Sequence, residues 1–265
     1  MQKKKENNKK DERKMQLIPE QYHPRNAERT ERIGAFNIHD FADGTQLTTL
    51  RRYEARLFEE HKIKKVIRNY KPVTHVAGQI ELITRKTRIP AKFLEICQRL
   101  KAAKVKFETP VAWLEAENPT NDALVTIYRK KYETLTTEVT TDKALVQRTL
   151  ESAFHELGKM HGAGIVHGHP HYYNILTNGN GNVHFIDPKY MRKHSTIPPT
   201  AIPRYDEEYW REFGTAPTTN AQGDLQMLLG YMNQGDHLQR IDVKKLNDAY
   251  LKGVELGRKR TAEMK

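Results

Sequence analysis

The sequence predicts an α+β protein of two lobes, a small antiparallel sheet followed by a mainly helical half. Between about residues 65 and 130, short β-branched or alternating segments surround a single helical run. Beyond it, apolar residues recur at helical spacing, and strands and helices segregated in this way define the class. An Asn-Gly turn between apolar runs at 175–186 adds one hairpin to the helical half. A chain of 265 residues is long enough to bury a core of this size.

Composition narrows the function classes. Lys and Arg number 45 against 33 Asp and Glu, a net charge of +12, which favours anionic partners such as nucleotides, RNA, acidic lipid head groups or phosphorylated metabolites. Only 37% of residues are hydrophobic and the mean hydropathy is −0.81, so part of the chain reads as solvated tail or open loop. The single cysteine, Cys97, excludes an internal disulfide and fits a cytoplasmic setting. No apolar run approaches the roughly 20 residues of a membrane span, and the N-terminal MQKKKENNKK has no signal-peptide core.

Residues 1–33, with Lys3, Lys4, Lys5, Lys9, Lys10, Arg13 and Lys14 among polar neighbours, read as a disordered basic arm. Such an arm either binds RNA or another polyanion or merely solubilises. Leu47, Leu50, Tyr53 and Leu57 predict an amphipathic helix over 45–62. Residues 65–69, 73–76 and 78–86 read as strands, the last through the alternation of Ile80, Leu82 and Thr84. Ile89-Pro90 opens a helix through Phe93, Leu94, Ile96, Cys97, Leu100 and Ala103, with proline where a first turn tolerates it. Strands follow at 110–115 and 123–128, separated by Asn118-Pro119-Thr120-Asn121. Residues 34–130 make the first lobe and 131–265 the second. The second opens with a long helix over 141–161, carrying Leu145, Val146, Leu150, Phe154, Leu157 and Met160 on one face and ended by Gly162 and Gly164.

The chemistry lies in HGAGIVHGHPHYYNILTNGNGNVHFIDPKY, residues 161–190. A hairpin of 175–177 and 183–186 about Asn178-Gly179-Asn180-Gly181 brings Asn174, just before its first strand, to Asp187, just after its second. An amide oxygen paired with a carboxylate suits Mg²⁺, a hard cation that completes its shell with water and phosphate oxygens.

This stretch resembles the catalytic loop and metal-binding turn of the protein kinase-like superfamily, above all its minimal branches. These are the RIO kinases, the small kinase of the archaeal tRNA-modifying KEOPS complex, aminoglycoside phosphotransferases and lipopolysaccharide sugar kinases. His167-Gly168 matches the opening of their HGDxxxxN loop, Asn174 the metal-binding Asn, and Asp187 the metal-binding Asp thirteen residues later. Ile186-Asp187-Pro188 is closer to the small-molecule kinases than to Asp-Phe-Gly. Gly223-Asp224-Leu225, with Leu228 and Leu229, resembles their buried-aspartate helix.

The resemblance implies a two-lobed kinase-like fold and an ATP-dependent phosphotransferase acting on an unidentified small-molecule or protein acceptor. It further implies Mg²⁺-ATP between the lobes, Asn174 and Asp187 on the metal, and adenine against the backbone of Tyr128, Arg129 and Lys130. Glu95 takes the place of the Glu that pairs the nucleotide-binding Lys, for which Lys86 is the candidate and Arg85 the substitute. The chain departs from the pattern twice. No glycine-rich loop precedes the sheet, since Gly34, Gly44 and Gly78 stand alone, and His169 occupies the catalytic Asp position.

A neutral imidazole accepts a hydroxyl proton but supplies no negative charge. His169 is therefore a working base, a relic in a nucleotide-binding pseudokinase that docks RNA or an RNA-bound complex, or a packing residue. His167, His169 and His171 alternate and, on a regular strand, would present three imidazoles for a metalloenzyme. Tyr172 and Tyr173 stack on a substrate or simply pack. The loop after Asp187, with Pro198, Pro199, Pro203, Tyr205, Tyr209 and Trp210, is either the acceptor-recognising loop or a connector.

Overall fold

The structure is a computed structural model that describes residues 20–34, 36–44, 46–50, 63–68, 80–86, 90–108, 110–116, 123–127, 133–135, 142–195, 197–213, 216–234 and 241–263. Strands β1 (Arg29–Ile33), β2 (Phe36–Asp40), β3 (Gln46–Leu50), β4 (Ile63–Arg68) and β5 (Ile80–Lys86) precede helix α1 (Pro90–Ala102). Strands β6 (Pro110–Ala116), β7 (Ala123–Ile127) and β8 (Glu133–Thr134) follow, then the long helix α2 (Lys143–Gly162). The remainder is β9 (Ile165–Val166), β10 (Ile175–Thr177), β11 (Val183–Phe185), β12 (Arg192–Lys193), α3 (Glu207–Phe213), α4 (Ala221–Gln234) and α5 (Val243–Ala262).

The first half is one seven-stranded sheet in the order β1-β2-β3-β5-β7-β6-β4. It is larger than expected and mixed, because β3 and β5 pair in parallel, Leu47 opposite Ile80. Two further expectations change here. The helix expected from residue 45 is β3 where it is described, since buried Leu47 and Thr49 alternate inward and an inward threonine is invisible to a count of apolar residues. Residues 20–33, read as part of the basic arm, instead carry turns at Glu20–Tyr22 and Pro24–Asn26 and strand β1. They are anchored by Tyr22, whose ring meets Phe41 edge-on at 5.3 Å and whose hydroxyl donates to Asp43 at 2.7 Å. The expected strand at 73–76 and the segment 128–132 lie outside the described residues.

The second half is organised by α2. Asp142 caps it, its carboxylate accepting from the N–H groups of Ala144 and Leu145 at 2.9 and 3.2 Å. Leu150, Phe154, Leu157 and Met160 are fully buried along the face that the sequence predicts, each contributing about 1.5–3 kcal/mol of burial free energy. The opposite face is closed by α5. A Cβ on Gly158 would lie 2.2 Å from the Tyr250 carbonyl oxygen, and one on Gly253 would lie 2.2 Å from that of His155. Gly162 and Gly257 repeat the arrangement one turn on, so two helices running in the same direction meet backbone to backbone. Gly162 is thus both the last residue of α2 and a packing contact, and Gly164, at φ 72°, follows where the chain leaves the helix.

Buried Glu156 and Lys159 on α2 clamp the chain that leaves α1. The Lys159 ammonium pairs with Glu156 Oε2 at 2.7 Å and donates to the Lys104 carbonyl at 2.6 Å. Glu156 Oε2 also accepts from the Lys106 N–H at 2.7 Å. Burial pushes the Lys159 pKa down, opposed by its partner Glu156. This clamp aligns 106–108 with β11, the Phe185 N–H donating to the Lys106 carbonyl at 3.0 Å.

Candidate functional site

Asp224, fully buried on α4, organises the loop that follows β9. Its Oδ2 accepts from the His167 N–H at 2.8 Å, and its Oδ1 accepts from the Gly168 N–H at 3.0 Å and from the Thr218 hydroxyl. His161 Nε2 lies 3.0 Å from Oδ2, and its Nδ1 faces the Tyr250 hydroxyl at 3.0 Å. Burial alone would raise the Asp224 pKa; the His161 bond, the charges of His161 and His167 and the Thr218 bond outweigh it and bring it below the ordinary value. One carboxylate therefore sets two successive backbone N–H groups of the loop. Gly168 is required there, with φ of 81° and the Tyr190 carbonyl oxygen 2.5 Å from where its Cβ would stand.

His167 carries this constraint to the hairpin. Its Nδ1 accepts from the His169 N–H at 3.2 Å, and its Nε2 donates to the Ile186 carbonyl at 3.1 Å, which selects a single neutral tautomer. Burial pulls its pKa from 6.5 to about 4, against the opposing charges of Asp224 and Asp187. The ring therefore stays neutral near neutrality and joins the loop to the residue before Asp187.

The hairpin forms where the turn signal places it. Ile175 pairs with Phe185 and Thr177 with Val183, and the Ile186 N–H donates to the Asn174 carbonyl at 2.9 Å. Asn174 and Asp187 accordingly leave the same end of the hairpin. The Asn174 Nδ2 lies 3.0 Å from the His169 carbonyl, an acceptor that fixes the amide's orientation, and 3.0 Å from His171 Nε2. A third contact, to His169 Nδ1, is longer at 3.3 Å. Among the described residues no donor reaches the Asn174 Oδ1, and this oxygen is not closed off from solvent. Asp187 sits in the left-handed region at φ 57° and ψ 65°, a conformation that costs a non-glycine residue on the order of 1 kcal/mol or more. It is supported by Glu108, which is 4% exposed and whose Oε2 accepts the Asp187 N–H at 3.0 Å. Sequence reasoning missed Glu108; the signal was a carboxylate set among apolar residues in VKFETPVAW.

His169 is half-buried, its ring 4.3 Å from His171 and 5.1 Å from Tyr190. From His171 a chain of rings continues to Tyr231 at 5.5 Å and on to Trp210 at 5.1 Å. Tyr173, 60% exposed, stands 5.9 Å from His171. The three alternating histidines do not lie on a strand, because the chain turns into a 3-10 helix at Tyr172–Asn174. Among the described residues no three His, Cys, Asp or Glu side chains are grouped to hold a metal ion.

The remaining candidates lie on other elements. The Glu95 carboxylate on α1 pairs with Lys193 of β12, and Arg99 lies 3.8 Å from it. The Lys193 bond is the main cause of its lowered pKa, partly offset by burial. Lys86 ends β5 opposite Ala123, with Arg85 beside it opposite Leu124. Tyr128, Arg129 and Lys130 lie outside the described residues. No helix among the described residues is long and apolar enough to cross a membrane.

No family model matches the chain, and no curated protein matches it. Solved structures do match. A rhoptry kinase from Toxoplasma gondii is 15% identical over 49% of this chain and 45% of that one, with a TM-score of 0.29. The kinase domain of a Toxoplasma gondii specific rhoptry antigen is 10% identical over 69% and 73%, with a TM-score of 0.37. The pseudokinase domain of BIR2, an immune regulator of the RLK/Pelle family, is 11% identical over 90% and 74%, with a TM-score of 0.34. The chain thus spans less than half the length of the first of these. Overlaps this small leave the reading of the site to its own residues.

Proposed function

We propose that the chain is an ATP-dependent phosphotransferase of the kinase-like type, acting on a small-molecule or protein acceptor. The observation that carries this reading is the common exit of Asn174 and Asp187 from a hairpin tied through His167 to the buried Asp224. Asn174 directs its amide nitrogen into the protein and leaves its oxygen without a donor among the described residues. With the Asp187 carboxylate this is a hard-oxygen pair, and it fits Mg²⁺. Asn174 and Asp187 would hold the ion, which when bound neutralises phosphate charge.

The chain's own groups then position the reactants, the larger part of catalysis in phosphoryl transfer. His169 faces the acceptor hydroxyl, Lys86 and Glu95 hold the nucleotide phosphates, and the 128–130 backbone meets the adenine. For Glu95 to reach Lys86, its ion pair with Lys193 must exchange. The test is thermal shift with ATP, with and without Mg²⁺, followed by turnover with candidate acceptors. Wild type should gain stability only when both are present, and Asp187→Asn should lose that gain. An equal Mg²⁺-dependent shift in folded Asp187→Asn refutes the metal site.

One observation favours a second reading, a nucleotide-binding module without turnover that docks RNA through its basic arm. It is the neutral residue at 169 where the resemblance expects a carboxylate. Turnover that falls in His169→Ala and persists in His169→Asp supports the enzyme; Mg²⁺-ATP binding with no turnover in any of the three proteins supports the module.

A further inference from the structure

A cleft of about 460 Å³ opens where the C-terminal turns of α1, α2 and α5 converge, lined by Glu95, Gln98, Arg99, Gly162, Arg258 and Thr261, with Ala262 at its edge. Its volume falls within the range of small-ligand sites. Gly162, with no side chain, lines it at the close α2–α5 contact.

The basic residues around it divide by what they already bond. Arg260 donates to the Ala103 carbonyl at 3.0 Å, and Arg99 Nη1 donates to the Ala163 carbonyl at 3.3 Å. These guanidinium groups close the carbonyl ends of α1 and α2, where cations are favoured. Arg99 uses one of its five N–H donors in this way and presents the rest to Glu95 and the cleft. Among the described residues the Arg258 guanidinium has no hydrogen bond or ion pair, and it lines the same cleft. The one carboxylate of the lining, Glu95, is paired with Lys193 in this structure and is the one residue the cleft shares with the proposed phosphotransferase site.

We propose that this cleft is a second binding site, separate from the Asn174–Asp187 pair, that takes the phosphate of a nucleotide unit. Arg258 meets the phosphate as a planar fork with Arg99 beside it, and Gln98 and Thr261 supply neutral polar contacts to the rest of the unit. The same chemistry is offered by a free nucleotide and by a nucleotide within a strand.

The experiment uses the full chain in EDTA, so that the metal-dependent reading of the other site does not enter. A fluorescein-labelled oligothymidylate of about ten nucleotides is titrated by anisotropy over a salt series. AMP and inorganic phosphate serve as competitors. Arg258→Gln should bind about fivefold more weakly at low salt, and the slope of log K against log salt should fall by about 0.7. The paired change Lys244→Gln with Lys245→Gln, at the far end of α5, removes more charge and should leave both quantities near wild type. Asp187→Asn should also bind as wild type, which keeps this result apart from the proposed phosphotransferase activity.

AMP that displaces the probe from wild type but not the residual binding of Arg258→Gln assigns the site to a free nucleotide. Binding of the strand with no competition by AMP assigns it to nucleic acid, provided Arg258→Gln is weaker. The proposal is overturned if neither probe nor AMP binds wild type, if Arg258→Gln is unchanged, or if the Lys244 and Lys245 pair loses as much as Arg258→Gln. Matching circular dichroism and melting curves establish that the variants are folded.

Discussion

Replacing Asp224 by asparagine removes the charge and one acceptor oxygen from a site with no water access, while four donors still point at it. The least costly amide orientation keeps its oxygen toward the His167 N–H and His161 Nε2. Its NH₂ then faces Thr218, whose hydroxyl can turn to accept, and the Gly168 N–H, which cannot. The stranded N–H costs about 1–3 kcal/mol. Conversion of the remaining contacts from charge-assisted to neutral adds a similar amount, so we expect a total of about 3–5 kcal/mol. Against the 5–15 kcal/mol typical of a domain this is large. Urea denaturation at neutral pH should show a midpoint lowered by about 1 M or more with an unchanged slope. An Asp224→Asn protein within about 1 kcal/mol of wild type would refute the view that this carboxylate holds the loop.

Gly158→Ala places a methyl 2.2 Å from the Tyr250 carbonyl, so despite alanine's better helix propensity, about 1 kcal/mol, it should lower the melting temperature; an unchanged or raised value argues against the close α2–α5 contact. Lys159→Met leaves the Glu156 carboxylate buried with the Lys106 N–H but no counter-charge and should cost about 3–5 kcal/mol. Adding Glu156→Gln should recover part of that loss. His167 titrates at about 4 when folded against 6.5 when free. The unfolded chain therefore binds the extra proton first, and stability present above pH 6.5 is lost as pH falls toward 4, by up to about 3 kcal/mol. His167→Gln should flatten that part of the stability curve, and an equal pH slope in both proteins would show that the ring is not held neutral.

The hairpin at 175–185, the apolar face of α2 and the proline-initiated α1 were legible because each is written in residues a few positions apart. The strand at 46–50 was not, since Leu47 and Leu50 satisfy a helical spacing as well as Leu47 and Thr49 satisfy a strand, and only the pairing with β2 and β5 decides. The glycines at 158 and 162 carry no local mark that separates a packing contact from a helix end. Their role depends on residues of α5 almost a hundred positions away. The resemblance led to Asn174, Asp187 and Asp224, but it did not contain the Glu108 contact that supports the Asp187 backbone.

By itself, then, the sequence determined the turn chemistry, the proline at the start of α1, the apolar faces and the basic charge. These depend on backbone preference and on side chains that reach only their near neighbours. Tertiary structure alone decided which distant group answers each buried one: Asp224 for the His167 and Gly168 N–H groups, Glu108 for the Asp187 N–H. It also decided that Arg99 and Arg260 bond helix-end carbonyls while Arg258 faces the cleft. The physical reason is that a buried charge or N–H group must be satisfied within about 3 Å, and which partner comes that close is a property of how the whole chain packs.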